Sequence, residues 1–126
     1  METIINVDGK EVRMRASALI PRLYRFKFQR DLIQDIGKLQ KTYLNILKKK
    51  ENATEEEKND ARFSALDLTI FENVAYIMAK HADSSVPDTP EEWLDSFNMF
   101  SIYQILPEIL KLWNVSNQTT SISKKK

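Results

Sequence analysis

Residues 63–78 read FSALDLTIFENVAYIM, and the distribution of apolar side chains in this stretch decides the fold. Leu66, Ile70, Val74 and Ile77 recur at helical spacing as one stripe, while Ala65, Leu68, Ala75 and Met78 make another face apolar as well. A helix that is apolar around most of its circumference belongs in the middle of a core, covered on several sides. The spacing therefore predicts a central helix over 63–78, and the rest of the chain has to supply its cover. The helix is expected to open upstream at Thr54, where Glu57 completes a capping box. Its first turns, with Glu55, Glu56, Glu57 and Asp60, read as solvated acids favoured at a helix N-terminus rather than as a metal cluster, since the glycine turn and alternating oxygens of a calcium loop are missing.

Working outward toward the N-terminus, Leu32, Ile36, Leu39, Tyr43 and Ile46 step by four, three, four and three, one stripe of an amphipathic helix that starts after Asp31. Gln34, Lys38, Lys41, Lys48 and Lys49 fall outside the stripe, and the polar run Lys48-Lys-Lys-Glu-Asn closes the element. Gly37 lies inside it and weakens it by about 1 kcal/mol relative to alanine, unless close packing there needs a glycine. Ahead of this helix, Ser17 is expected to cap a helix running through Leu19, Leu23 and Phe26, with Pro21 tolerated near its first turn. Around Phe28 to Arg30 the chain either bends or continues. Thr3–Val7 and Lys10–Arg15 flank Asp8-Gly9, whose tolerance of positive φ suits a type I′ hairpin turn. Val12 and Met14 alternate with Glu11, Arg13 and Arg15, so the second strand should have one buried and one wet face. Because an isolated hairpin is marginal in water, it must lie on the helices or pair with a partner.

On the C-terminal side, Asp83 to Asp88 reads as a loop, and Thr89-Pro90-Glu91-Glu92 combines cap, N1 proline and N3 glutamate at the start of a short helix ending near Phe97. The last helix carries Met99, Tyr103, Leu106, Leu110 and Trp113 as one stripe and Ile102, Ile105, Ile109 and Leu112 as a second. Pro107 should kink it by depriving the Tyr103 carbonyl of its donor. After Val115 the chain has too little to bury, and a disordered polar and basic tail is expected over 116–126. The expected fold is mainly α (α+β): an N-terminal β-hairpin over 3–15 packed on a bundle of four to five helices, in one domain spanning 1–115.

The totals agree. A chain of 126 residues that is 42% hydrophobic and 29% charged suits one modest core with a solvated surface. The absence of cysteine excludes disulfides, thiolate zinc sites and cysteine nucleophiles. No apolar run approaches the roughly 20 residues that span a bilayer, and the first residues lack the pattern of a signal peptide, so a cytoplasmic protein with no membrane association is expected. The net charge of +1 conceals an asymmetry. Lys10 to Lys50 holds 12 Lys and Arg against 3 Asp and Glu, while Glu51 to Trp113 holds 4 against 13. Either the two halves attract each other in the folded domain, or the surface is bipolar and steers a charged partner.

Catalytic chemistry finds few candidates. His81 is the lone histidine, and near a helix C-terminus it reads as a dipole contact rather than a ligand or base. There is no P-loop and no GxGxxG. No enzyme activity, cofactor or metal is expected. Two stretches invite a partner instead. The last helix offers Tyr103, Leu106, Leu110 and Trp113 as an aromatic and apolar face of the kind that anchors interfaces, although a helix buried on two sides needs the same two stripes. The strip with Arg22, Arg25, Lys27 and Arg30 interleaves cations with Leu23, Tyr24, Phe26 and Phe28, which suits phosphate contact and base stacking. Against nucleic acid, exposing all four apolar residues is costly and the whole chain is near neutral, so a role facing protein or core is preferred.

The order of pieces is itself distinctive: the hairpin with Asp8-Gly9-Lys10, then RASALIPRLYR (15–25), KFQRDL (27–32), FENVAYIMAK (71–80), TPEEWLD (89–95) and a helix ending LKLW (110–113). Over nearly its whole length the chain resembles the tail assembly chaperones encoded in prophages of low-GC Gram-positive bacteria. The resemblance implies a non-enzymatic role in the bacterial host cytoplasm, holding tail tube protein soluble and bringing it to the tape measure protein, with self-association into a homo-oligomer as a further expectation. The family has no catalytic motif to carry over. The alternative is a small phage regulatory or nucleic-acid-binding protein that uses its basic N-terminal half.

Overall fold

The computed structural model describes residues 1–52 and 62–125, with side chains described over 1–48 and 62–114. An antiparallel hairpin, β1 (Glu2–Val7) and β2 (Lys10–Arg15), precedes five helices: α1 (Ile20–Phe28), α2 (Leu32–Asn52), α3 (Ala65–Ala82), α4 (Pro90–Asp95) and α5 (Ile102–Lys125). The mainly α architecture with an N-terminal hairpin is the one read from the sequence.

The central helix α3 buries Ile70, Phe71 and the whole run from Val74 to Ala79. It is touched by β2, α1, α2, α4 and α5. Its start differs from the expected one. Thr54 and the acids after it lie outside the described residues, and Phe63 precedes the helix rather than lying in it. Ser64 is the cap: its Oγ accepts from the Asp67 N–H at 3.1 Å, and Asp67 Oδ2 accepts from the Ser64 N–H at 2.9 Å. This reciprocal box ends the helix there as firmly as the glutamate version does. Asp67 is buried, and its Oδ1 has Lys38 Nζ at 3.5 Å, an ionic contact too long for a good hydrogen bond.

The hairpin is in the register predicted, with Val7 opposite Lys10 and Ile5 opposite Val12. Asp8 and Gly9 have φ of 55° and 77°, so both central turn residues take the left-handed conformation that a type I′ turn requires. Ile5, Val7 and Met14 are buried and Val12 packs against the same core, while Glu11, Arg13 and Arg15 are exposed. The turn is tied to the far end of the chain: Asn98 N–H donates to Asp8 Oδ2 at 2.9 Å, and Lys10 Nζ donates to the Ser96 carbonyl beside the Phe97 ring. β2 thus lies along α3, β1 along α5, and the hairpin finds its cover within the chain.

Between α1 and α2 the chain bends. Gln29 adopts φ 54° and ψ 42°, and its N–H caps the Arg25 carbonyl at 2.8 Å. Asp31 Oδ1 then accepts from the Ile33 N–H at 2.9 Å to open α2. Across this corner the buried Tyr24 hydroxyl donates to Asp35 Oδ2 at 2.7 Å, and the Arg30 guanidinium grips both oxygens of Asp35 at 2.8 and 2.9 Å. Burial alone would raise the Asp35 carboxyl, but the bonds from Arg30 and Tyr24 outweigh it and hold the group below its ordinary value. Ser17 is not the cap of α1. The cap position is Leu19, with no side-chain bond, and Ser17 Oγ accepts from the Leu19 N–H in a turn just before the helix.

An aromatic cluster joins the short helix to the centre. Trp93 meets Tyr76 at 5.9 Å, Phe97 at 5.3 Å and Phe100 at 5.2 Å, and Phe100 reaches Phe71 at 5.2 Å. Thr89 caps α4 as predicted, accepting from the Glu92 N–H. The last helix continues through Pro107 to Lys125, beyond the boundary near Val115. Past Pro107 the segment contains neither glycine nor proline to stop helical hydrogen bonding. Lys126 lies outside the described residues.

Two stability tests follow from this packing. A Cβ built on Gly37 meets no described atom within 4 Å, so Gly37→Ala should stabilise the fold by about 0.5–1 kcal/mol, read as a higher urea midpoint at unchanged slope. Asp35→Ala leaves the Tyr24 hydroxyl buried without an acceptor and should cost about 2–3 kcal/mol. Adding Tyr24→Phe should recover part of that loss, because the stranded polar group is then gone as well.

Candidate interaction surface

The face expected of the last helix is mostly consumed by the core. Leu106 is 1% and Leu110 6% exposed, and Trp113 is half-buried against the same cluster. Only Tyr103 stays open, 58% exposed with its ring 5.7 Å from that of Phe63. The reason is topological: α5 lies between β1 and α3, so both stripes are needed as cover, and the interface assignment of Leu106 and Leu110 is corrected.

The basic strip divides similarly. Arg30 is committed to Asp35, and Lys27 donates to the Asp88 carbonyl at 2.6 Å while lying 5.7 Å from the Tyr76 ring centre. Arg22 and Arg25 are exposed and take part in no ion pair among the described residues. Of the interleaved apolar residues Tyr24 is buried, Leu23 and Phe28 are half-buried, and Phe26 is 84% exposed. The inward face of α1 is therefore Ile20 and Tyr24, four residues apart. Leu19, Leu23 and Phe26, expected to carry the helix onto the core, line its outer side.

That outer side forms one wall of an open groove of about 500 Å³. Leu19, Leu23 and Phe26 of α1 face Tyr76, Ile77, Lys80 and His81 of α3, with Lys27 and Asp88 at the rim. The surface it exposes is mainly apolar. The loop that closes its far side is held by named bonds: Tyr76 Oη donates to the Pro87 carbonyl at 2.6 Å, and Lys80 Nζ donates to the Ser84 carbonyl, the Val86 carbonyl and Asp88 Oδ1. Burial, then the nearby Asp88, Glu92 and Glu91, raise the Tyr76 phenol, which keeps it a donor. The groove is thus a preformed cleft with a fixed wall. The hallmark missed in the sequence was the second stripe of α1; it was visible as spacing, but spacing does not say which stripe turns inward.

Charge is distributed much as a bipolar surface requires. Among the described residues Lys38–Asp67 is the one ion pair between the basic and acidic halves, and of the basic half Lys10 and Lys27 spend donors on carbonyl oxygens. Neutralisation of one half by the other is therefore slight among these residues, and the cations of α1 keep their field. No group of three His, Asp or Glu is placed to hold a metal, and no helix is long and apolar enough to cross a membrane, among the described residues.

His81 has a different role from the one expected. Its Nε2 lies 2.9 Å from Ser17 Oγ, tying the end of α3 to the turn before α1. Burial first, then Arg15 and the N-terminal ammonium, lower it from its ordinary value of 6.5. A dipole contact would favour the imidazolium, whereas this site favours the neutral ring. With a folded pKa below the unfolded one, the unfolded chain binds more protons, so this contribution is complete above about 6.5 and declines as pH falls below it. The thermal midpoint should therefore drop between pH 7 and 5.5, and His81→Gln should flatten that part of the profile.

Compared with known proteins, the chain matches no family model, no curated protein and no solved structure, and the groove and the sequence carry the functional reading.

Proposed function

We propose that the chain is a tail assembly chaperone of a long-tailed bacteriophage or prophage, a non-enzymatic protein that holds tail tube or tape measure protein during morphogenesis in the host cytoplasm. The observation that carries this reading is the apolar groove between α1 and α3, with Phe26 uncovered at its edge. Phe26, 84% exposed, shares one groove wall with Leu19 and Leu23, and a contiguous apolar patch of this kind is the sort that a protein partner covers. The resemblance of segments 15–32, 71–80, 89–95 and 110–113 to tail assembly chaperones supplies the biological setting. A chaperone of this kind acts by mass action, occupying an assembly surface of the immature subunit so that premature polymerisation is disfavoured. Self-association into a homo-oligomer is part of the same proposal and draws on apolar residues exposed away from the groove, such as Ile4, Ile33 and Met99.

The second reading, a small phage regulatory or nucleic-acid-binding protein, draws on Arg22 and Arg25 flanking the exposed Phe26. It is weakened by the burial of Tyr24 and by the commitment of Arg30 to Asp35, which remove a second stacking platform and a phosphate contact.

Co-expression with the tail tube protein of the same gene cluster tests the first reading: the tube protein should become more soluble and co-purify with the chain. Failure on both counts overturns it. A gel-shift titration tests the second, since phosphate contacts give affinity that falls steeply with salt and a chaperone gives no shift.

A further inference from the structure

We infer that the groove between α1 and the C-terminal half of α3 takes an amphipathic helical segment of a partner protein, one that presents large apolar residues on one face and carboxylates beside them. The inference rests on the protein-binding reading above and names the chemistry of what is bound.

Shape supports a helix. Leu19, Leu23 and Phe26 follow one another at four and three residues along α1, so the wall they form is a straight apolar ridge parallel to that helix. Tyr76 and Ile77 make the floor, and the cleft holds a few large side chains. A ridge of this periodicity is what a partner helix reads through anchors at i, i+3 or i+4, and i+7.

Charge selects the partner's flanks. Among the described residues Arg22 and Arg25 are exposed on α1 and make no ion pair, and the Lys27 ammonium meets a neutral carbonyl and the Tyr76 ring rather than a carboxylate. Asp88, the acid at the rim, is already paired with Lys80 at 3.2 Å. The α1 side of the groove is therefore cationic, whereas Glu91 and Glu92 lie near Tyr76 on the opposite side, so carboxylates on the partner flank that faces α1 complement it.

Other occupants fit less well. A second copy docked symmetrically would bring its own Arg22, Arg25 and Lys27 against these. The acidic run of a second copy, residues 51–62, contains no apolar residue larger than alanine and cannot fill the groove. A nucleic acid strand would find cations but only one exposed aromatic, and would leave the apolar floor unused.

The test is selection from a random library of displayed peptides of about 15 residues, four helical turns, on the full chain, followed by anisotropy titration of the best peptide. Enriched sequences should carry large apolar residues at helical spacing among Asp and Glu. Phe26→Ala, at an exposed position that leaves the thermal midpoint unchanged, should weaken binding about tenfold or more. Arg22→Glu with Arg25→Glu should weaken it at low salt and less at high salt. No enrichment, enrichment of basic or uncharged sequences, indifference to Phe26→Ala, or tighter binding of a labelled oligothymidylate overturns the inference. Repeating the tube-protein co-expression with Phe26→Ala separates the two proposals. Solubilisation that survives the substitution sinks the groove and spares the chaperone, whereas a wild-type chain that selects acidic amphipathic peptides yet never solubilises tube protein does the reverse.

Discussion

The structure depends on a helix that has almost no side to show to water. From Val74 to Ala79 every residue of α3 is buried, so every turn of its C-terminal half needs cover from more than one direction. Five other elements supply that cover, and each is amphipathic in the sense the arrangement demands. Burial of apolar surface at about 25 cal/mol per Å² drives the assembly without specifying geometry. Geometry comes from the few polar contacts placed where two covering elements meet.

Three such contacts set the frame. The Ser64–Asp67 box fixes where α3 begins. The Tyr24–Asp35–Arg30 clasp fixes the corner between α1 and α2, and a buried phenol that needs a carboxylate acceptor tolerates little displacement. The bonds from Asp8 to Asn98 and from Lys10 to Ser96 fasten the hairpin turn to the segment after α4. The clasp also has a consequence for function. With Ile20 and Tyr24 directed inward, Leu19 and Phe26 are left exposed and, with the half-buried Leu23 that also packs against the core, form the wall of a groove.

The same economy explains the charges. Lysines at the edges of the core satisfy carbonyls of the 83–89 loop and the segment after α4, so cation–dipole contacts order those segments together with the carboxylates of Asp8 and Asp88. Among the described residues the acids of the second half lie mostly at helix starts and on the surface, with Asp67 buried against Lys38. Arg22 and Arg25 likewise keep their charge beside an apolar cleft.

Much of the fold was determined by the sequence alone, because its signals are local. Asp8-Gly9 between alternating strands, the stripe from Leu32 to Ile46, Thr89-Pro90 and the all-round apolar 63–78 segment each specify an element through backbone preference or periodicity within one short stretch of chain. What tertiary structure decided is which of two stripes turns inward. On α5 both Leu106 and Ile109 are buried, because β1 and α3 press on opposite sides, and the interface expected there disappears. On α1 only one stripe is buried, because Asp35 on the next helix captures Tyr24, and the groove emerges where a core face was expected. His81 follows the same rule: burial, then Arg15 and the N-terminal ammonium, favour its neutral ring, and its bonding partner Ser17 is brought from more than sixty residues away. Periodicity fixes angles around one helix axis, whereas burial is a property of what the other elements leave uncovered, and that exists only once the chain is folded.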